Sequence, residues 1–487
     1  MKVLLVSFYN TEAYGVRSLH ASLVALGTDA HMLFFKTEEY QYDKALRKNF
    51  SFQINEVTEK EIELCVSHIK KGQPNLLAFS LVSSHFHLYM RIWERIKYLG
   101  IPVILGGWEP SLNPDRCVKV SDFICIGEGE QVLQEVVARI DKGQSVSDIQ
   151  NICFNSSHGI VYNPVRPLNK NISHLPIPIF DKERSCVIEN DSVSYIDPYM
   201  TSTRYGTFIG LGCPYHCTYC SNYYMVENVY GGDWSKSRYH SVERMKAEFQ
   251  EVKRKLPLIN RINFYDEVFS PDLSWVRKFF AWYKEEINIP FCCTFYPGKC
   301  SYELCNVLVD AGMVGVWLGV QSGSKRVREE VFKRFYTNEK VLEQADIFFR
   351  HGISARYDFI FDNPFETFEE SLESIRLMLQ FPQPFSINPF SLKYFPNTGI
   401  TKMALQKGII TQQNVDDEYV NSQDTYLVSD NRGTIEQQFI NNLVMYVNSQ
   451  ASLGLLNDAF VEQIISSFLI SQDLKEVREL VKESWQV

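Results

Sequence analysis

Cys213, Cys217 and Cys220 stand at the spacing C-x3-C-x2-C in the stretch Gly212-Cys213-Pro214-Tyr215-His216-Cys217-Thr218-Tyr219-Cys220, directly after the strand-like run 207–211. Thiolates four and three residues apart on one loop can be aimed at a common centre, and thiolates are the ligands that iron–sulfur clusters take. Three ligands leave one iron of a four-iron cluster open, and an open metal position lets a site bind and activate a substrate. A structural zinc site and a disulfide are the other readings of such a loop. Structural zinc closes four-coordinate, usually from paired C-x2-C halves, and no second Cys or His pair of that spacing follows. Disulfides suit small secreted domains, whereas twelve cysteines are scattered here over 487 residues with no export signal. Reduced thiols are the expectation.

With aromatic Tyr219 just before its last cysteine, the loop resembles that of the radical S-adenosylmethionine (SAM) enzymes. The resemblance implies a [4Fe-4S] cluster on Cys213, Cys217 and Cys220, with Tyr219 among the cofactor contacts. It implies that SAM chelates the open iron through its amino and carboxylate groups. One electron, from a donor such as flavodoxin or ferredoxin, then cleaves the sulfonium to a 5′-deoxyadenosyl radical. Further motifs extend the match. Asp266-Glu267 closes a predicted strand, and the resemblance implies that a carboxylate here receives the SAM amino group. Gly319-Val320-Gln321-Ser322-Gly323-Ser324, with Arg334 further on, is similar to the family's G-x-QSGS stretch, which lines the SAM ribose and methionyl groups. Arginine can clamp a carboxylate with two parallel hydrogen bonds. Residues 358–367 resemble D-F-I-x-G-x-P-x-E-T, with Asp362 in place of glycine beside Asn363 on the adenine side. Residues 394–398 match P-F-P-G-T with Asn397 for glycine, a replacement that tolerates positive φ.

These residues need a scaffold that brings strand ends together. Strand-like runs at 207–211, 262–265, 291–295, 315–319, 357–361 and 391–395 alternate with helical stripes such as Val242, Met245, Phe249 and Val252. Thr367 to Glu370 fits a capping box. Six such units fall short of a full eight-stranded barrel, and the radical SAM resemblance implies a partial (β/α)6 TIM-type barrel over residues 201–408, with polar residues at strand ends facing the site. Cys292 and Cys293 are neighbours on a strand and point to opposite faces, so with Cys300 and Cys305 they read as core thiols.

Residues 1–145 alternate short apolar runs, at 3–7, 30–35, 76–81, 103–105 and 122–126, with helix-period segments. This predicts an α/β, doubly wound (Rossmann-like) parallel sheet, whose ligands sit beyond the carboxyl ends of the strands. Three loops fall there: Ser80-Leu81-Val82-Ser83-Ser84, Gly106-Gly107-Trp108-Glu109-Pro110 and Gly127-Glu128-Gly129-Glu130. Together, ahead of the cysteine loop, they resemble the cobalamin-binding domain of the class B radical SAM enzymes. That resemblance implies cobalamin as a third cofactor, with Ser80, Ser83, Gly106, Gly107, Gly127 and Glu128 beside it. The chain lacks D-x-H-x-x-G, the loop whose histidine coordinates cobalt. His20 lies on the apolar side of its helical stripe and reads as a core-edge histidine, not a cobalt ligand.

Residues 146–200 read as a linker with a hairpin around Asn155 to Gly159 and an extended Leu175-Pro176-Ile177-Pro178. Residues 409–487 repeat apolar positions at helical spacing and predict a helical C-terminal region. That tail carries six Lys/Arg against twelve Asp/Glu of a chain with net charge -9, which disfavours a terminal nucleic-acid-binding domain. No run of 18 apolar residues is present, and the first residues read as a strand and not as a signal peptide, so the cytoplasm is expected. The family resemblance then implies methyl transfer to an unactivated carbon, or to a phosphinate phosphorus, from methylcobalamin after radical hydrogen abstraction. The substrate is a small molecule or a peptide. The alternatives are a cobalamin-dependent rearrangement, cyclisation or ring contraction without methyl transfer, and a non-catalytic cobalamin or redox sensor.

Overall fold

The computed structural model describes the chain except residues 38, 42–50, 54–56, 422–426, 429–432, 476–478 and 480–487. The five N-terminal apolar runs form parallel strands β1 (Lys2–Phe8), β2 (Asp29–Phe35), β3 (Leu76–Ser80), β4 (Val103–Gly106) and β5 (Phe123–Cys125). They pair in the order 2-1-3-4-5, a doubly wound sheet with an apolar cluster on each face. Burial on both faces is why these strands read as continuous Val/Leu/Ile/Phe runs.

The stretch read as a linker carries two hairpins instead of one. β6 (Ile152–Ser156) and β7 (Gly159–Tyr162) extend the sheet beyond β5, while β8 (Ser185–Glu189) and β9 (Ser192–Ser194) extend it beyond β2. Both edges of a nine-stranded sheet are thus finished by residues outside the first 145. The second hairpin turns on Asn190-Asp191, both at positive φ, a two-residue turn chemistry legible in the sequence.

The second sheet is parallel throughout: β10 (Arg204–Thr207), β11 (Arg261–Phe264), β12 (Phe291–Phe295), β13 (Met313–Gln321), β14 (Ser354–Phe361) and β15 (Ser386–Ser391), in chain order. Among the described residues β10 and β15 do not pair, so this is the partial (β/α)6 barrel. Each of its five covering helices starts on a side-chain cap: Ser241, Asp272, Ser301, Thr337 and Thr367 accept a backbone N–H of the first turn. Such caps contribute about 1 kcal/mol each. The Thr367–Glu370 capping box is formed as its sequence predicts.

Two barrel strands are displaced from their predicted positions. The first ends at Thr207, where it was expected to begin, because the Asp266 carboxylate accepts the backbone N–H groups of Ile209 (3.1 Å) and Gly210 (2.8 Å) and draws the chain off the sheet. Gly210–Leu211 pairs instead with Arg238–Tyr239 as a short antiparallel ribbon. The sixth strand runs over Ser386–Ser391 and not 391–395. Pro389 inside it reads as a breaker, but β15 is the sheet's last strand, where a missing N–H is tolerated.

In the C-terminal region, helices Ile435–Leu453 and Asp458–Ser471 pack outside β15, with Phe439 stacked on Phe468 at 3.9 Å. Asn448 holds both the N–H and the C=O of Ile387, at 2.8 and 3.0 Å. No helix among the described residues is long and apolar enough to cross a membrane.

Candidate active site

The cysteine loop sits at the carboxyl end of the barrel's first strand and is tied down at three points. Thr218 donates its N–H to Phe332 and its hydroxyl to Val331, and accepts the N–H of Ile400. Cys213 and Cys217 are buried and Cys220 is half-buried. Among the described residues no three Cys, His, Asp or Glu groups converge on a single ion position. Burial pushes the Cys213 thiol up, and burial followed by the Glu267 charge pushes Cys220 up to about 12. Ligation has to displace those protons.

Arg334, predicted from sequence, is brought to this loop from 114 residues beyond Cys220. It is buried, and its Nη1 lies 3.4 Å from the Cys217 sulfur and 3.1 Å from the Tyr219 hydroxyl. Its guanidinium lies over the Tyr296 ring at 4.3 Å, and Tyr296 stacks on Tyr215 of the loop at 3.7 Å. Its Nε is buried without a partner, and so is the Tyr215 hydroxyl. Asn222 Nδ2 approaches the Cys220 sulfur at 3.5 Å. Positive charge and N–H groups beside the sulfurs are what an anionic thiolate-bound cluster needs, so the donor set fits a [4Fe-4S] group held by Cys213, Cys217 and Cys220.

The remaining SAM candidates divide. Glu267 is exposed beside Cys213 and Cys220. Gln321 sits at φ 73 on a β-bulge, and its amide and the Arg334 guanidinium both crowd the space over Gly319. These two stand at the mouth. Asp266 does not: it is buried and committed to the Ile209 and Gly210 amides, so it braces the loop. Ser322 is likewise fully buried, donating to Glu366 at 3.2 Å. Asn363 has a buried Nδ2 without a partner and lines a cavity of about 250 Å³ that also takes in Glu366 and Gln437 but no residue of the cysteine loop. The departures from glycine at 362 and 397 are accommodated at φ 53 and 59.

The corrinoid candidates gather around a cavity of about 270 Å³ beyond the ends of β3, β4 and β5. Ser80, Gly106, Gly107, Gly127 and Glu128 line it. Ser83 does not, because its hydroxyl is spent on buried Glu109 at 2.6 Å. Gly107, at φ 97, lets its backbone pass against the Leu81 carbonyl, where a Cβ would collide. Backbone-lined turns and a hydroxyl fit the approach of a corrinoid. The cavity has room for an edge of such a group or its appended base; the whole macrocycle exceeds it. His20 is fully buried with its Nε2 against the Ala30 carbonyl, a core histidine as expected.

Sequence reading missed the barrel's share of this face. Leu211, Met225 and Trp234 line the same cavity. Tyr230 packs directly on Gly127 and accepts the Glu128 N–H at 2.7 Å, and Trp234 stacks on Tyr230. Arg238 pairs with Glu128 at 2.6 Å. The aromatic-and-glycine stretch Tyr230-Gly231-Gly232-Asp233-Trp234, so soon after the cysteines, was the available signal. Also missed was the Arg17–Asp197 pair, both groups at most 1% exposed, joined by two 2.8 Å hydrogen bonds. It fixes the loop after β1, whose Thr11 and Glu12 carbonyls also accept from Arg17, and Glu12 of that loop reaches Gly206 and Tyr265 of the barrel.

Comparison with known proteins agrees with both halves of this geometry. The B12 binding domain model matches residues 2–137 and the Radical SAM superfamily model residues 207–378. The chain belongs to the cobalamin-binding-domain radical SAM enzymes. It is 24% identical over 353 residues to an uncharacterized methyltransferase of Pyrococcus horikoshii, covering 71% of this chain and 72% of that one. It is 20% identical over 302 residues to the cytidylyl-2-hydroxyethylphosphonate methyltransferase of Streptomyces wedmorensis, covering 55% of this chain and 54% of that one. Among solved structures, TsrM from Kitasatospora setae, with tryptophan and a SAM analogue bound, overlays with a TM-score of 0.63 at 16% identity over 83% of this chain and 76% of that one. OxsB, with aqua-cobalamin and SAM bound, overlays with a TM-score of 0.66 at 15% identity over 97% and 71%. At these identities the overlays speak for the fold.

Proposed function

We propose that this chain is a cobalamin-dependent radical SAM methyltransferase acting on an unactivated carbon or a phosphinate phosphorus. The observation that carries the reading is one cavity lined both by the turns Gly106-Gly107-Trp108 and Gly127-Glu128 and by Leu211, two residues before the cysteine loop. A methyl carrier and a radical generator must reach the same substrate atom, and these two sets of residues open onto common space. When bound, the cluster with SAM supplies a hydrogen-abstracting radical and the corrinoid supplies a transferable methyl group.

The chain's own residues bind, orient and shield. Cys213, Cys217 and Cys220 hold the cluster, and Arg334 offsets the negative charge at Cys217. Glu267 accepts the SAM amino group, Gln321 and Arg334 hold the methionyl carboxylate, and Tyr219 steadies Arg334. Asn363 meets the adenine side through its unpartnered amide. Ser80, Gly106, Gly107, Gly127 and Glu128 carry the corrinoid, while Trp108 and Trp234 keep water from the shared space. Residues 1–145 thus serve the corrinoid and 201–408 the cluster and SAM. A flavodoxin or ferredoxin supplies electrons, and the reducing cytoplasm suits the twelve free cysteines. The two methyltransferases among the relatives support methyl transfer over rearrangement.

The test is turnover by the reconstituted protein with methyl-deuterated SAM and a metabolite extract as substrate source. S-adenosylhomocysteine and 5′-deoxyadenosine in equal amounts, with label in a product, are expected. 5′-Deoxyadenosine with unlabelled product and no S-adenosylhomocysteine would promote the rearrangement or cyclisation reading.

A further inference from the structure

A second cavity, of about 350 Å³, opens at the amino ends of the N-terminal strands, at the edge of the sheet opposite Gly106 and Gly127. Strand register and helix periodicity explain which residues meet there. Lys2 and Leu4 of β1, His31 of β2, Cys186 of β8 and Val193 of β9 share one face of the sheet, because Leu4 lies opposite His31, Cys186 opposite Leu33 and Val193 opposite Ile188. Helix Glu59–Gly72 covers that face. Its Ile62, Cys65, Val66 and Ile69 pack into the apolar cluster below, while the adjoining stripe of Leu64, Ser67, His68 and Lys71 lines the cavity. Polar residues therefore stand on both walls, where a helix and a sheet ordinarily close on each other.

Lys2, Lys71 and Arg184 line the space against one carboxylate, Glu183. Arg184 is offset in part by Asp181 at 3.9 Å, and His31 is held by Asp29 at 2.9 Å. The Lys2 and Lys71 side chains have no ion-pair partner among the described residues, so the excess positive charge is theirs. Both flank the turn into β3: Asn75, just after Lys71, donates its N–H to the Lys2 carbonyl at 2.8 Å and accepts the Lys2 N–H on Oδ1 at 2.7 Å. Burial first, and then the charges of Lys2 and His31, lower the His68 imidazole and keep it neutral, with one donor and one acceptor. Its Nε2 lies 3.5 Å from the Cys186 sulfur, and its ring lies 6.2 Å from that of Tyr195, which is 71% exposed. Leu4, Leu64, Pro74 and Val193 supply apolar wall. Apolar walls with a few polar groups, around a space of this size, suit a small organic ligand, and unpaired ammonium groups select an anionic one.

We propose that this cavity is a second ligand site, apart from the cofactor face, for a small organic anion with a flat apolar body. The body lies on Leu4, Leu64 and Val193 beside the His68 and Tyr195 rings, and a carboxylate or phosphate-type group pairs with Lys2 and Lys71. Either oxyanion is recognised by the same ammonium charges and hydrogen bonds. The site uses no residue of the cysteine loop or of the corrinoid turns, so it stands independently of the reaction proposed above.

The test follows binding of phenyl phosphate, benzoate and the uncharged benzyl alcohol to the full chain by saturation-transfer NMR. At least one of the two anions should bind, and which one binds tells phosphate-type from carboxylate recognition. Benzyl alcohol should bind at least roughly tenfold more weakly than that anion, since it keeps the ring and lacks the charge. Anion affinity should fall roughly tenfold in Lys71→Gln and in Lys2→Gln, the loss of one charge-assisted contact each, and Lys71→Arg should retain most of it. Lys340→Gln, which removes an exposed lysine of the barrel paired with Glu343, is the control and should bind as the parent does. Binding of neither anion at millimolar concentration, benzyl alcohol bound as tightly as the anions, undiminished binding in Lys71→Gln and Lys2→Gln, or loss in Lys340→Gln would each overturn the proposal. Thermal midpoints show that the variants fold, and Lys71, exposed in the last turn of its helix, decides the matter should Lys2→Gln not fold.

Discussion

The cysteine loop and the corrinoid turns are both built at the carboxyl ends of parallel strands, yet they are specified differently. The loop packs its three proposed ligands within eight residues, and the rest of the barrel only braces it: Asp266 holds its approach, Thr218 anchors it and Arg334 sits against Cys217. The corrinoid turns contribute backbone and small side chains from three separate strands, and barrel residues Tyr230, Trp234 and Arg238 complete them. A ligand set that is local in sequence survives large changes elsewhere. A surface assembled from two domains depends on how those domains are held. Glu12, Arg17 and Asp197 matter to the second site in a way that they do not to the first.

The largest effect should fall on the local site. Cys217→Ala is expected to reduce 5′-deoxyadenosine formation from SAM below detection while leaving the thermal midpoint and cobalamin uptake near those of the parent. Full activity in that variant would remove the loop from its role.

The converse comes from the domain tie. Asp197→Ala leaves Arg17 buried and uncompensated, a loss of about 3–5 kcal/mol. Denaturant unfolding should show it in the N-terminal transition, together with weaker cobalamin binding and intact cluster assembly. Equal damage to both cofactor sites would erase the distinction drawn between them.

A smaller change sharpens the picture at the contact itself. Gly127→Ala places a methyl group against the Tyr230 hydroxyl at a positive-φ position, costing about 1–3 kcal/mol. Combining it with Tyr230→Ala should restore part of that loss, a coupling of about 0.5–3 kcal/mol in a double-mutant cycle. Strict additivity would mean that the two domains do not meet at this turn.

The last effect is a pH dependence on the barrel side. Burial pushes Glu366 up to about 8, so the folded chain keeps its proton where the unfolded chain, near about 4.3, releases it. Its contribution to stability is present at acid pH and is lost as the pH rises from about 4 through about 8. Glu366→Gln should therefore show a flatter unfolding midpoint than the parent between pH 5 and 8.5, which is checked by urea titration at each pH.

Much was determined by the sequence alone. Periodicity located the five doubly wound strands, the barrel helix that carries Val242 to Val252 and the Thr367 capping box, because those signals are local: continuous apolar runs, 3.6-residue stripes and caps act within a few residues. The cysteine spacing and the glycine turns were legible for the same reason. Tertiary structure decided the rest. Asp266 and Glu267 are adjacent and chemically alike, yet one is consumed by the Ile209 and Gly210 amides and the other faces the cysteines. Ser80 lines the cavity beyond β3, β4 and β5 while Ser83, three residues on, bonds Glu109. Tyr230 reaches Gly127 across about a hundred residues, and Arg204 faces Arg261 only because strand register aligns them. Burial and partner choice are properties of the assembled chain, set by which groups compete for the same few hydrogen bonds once water is gone.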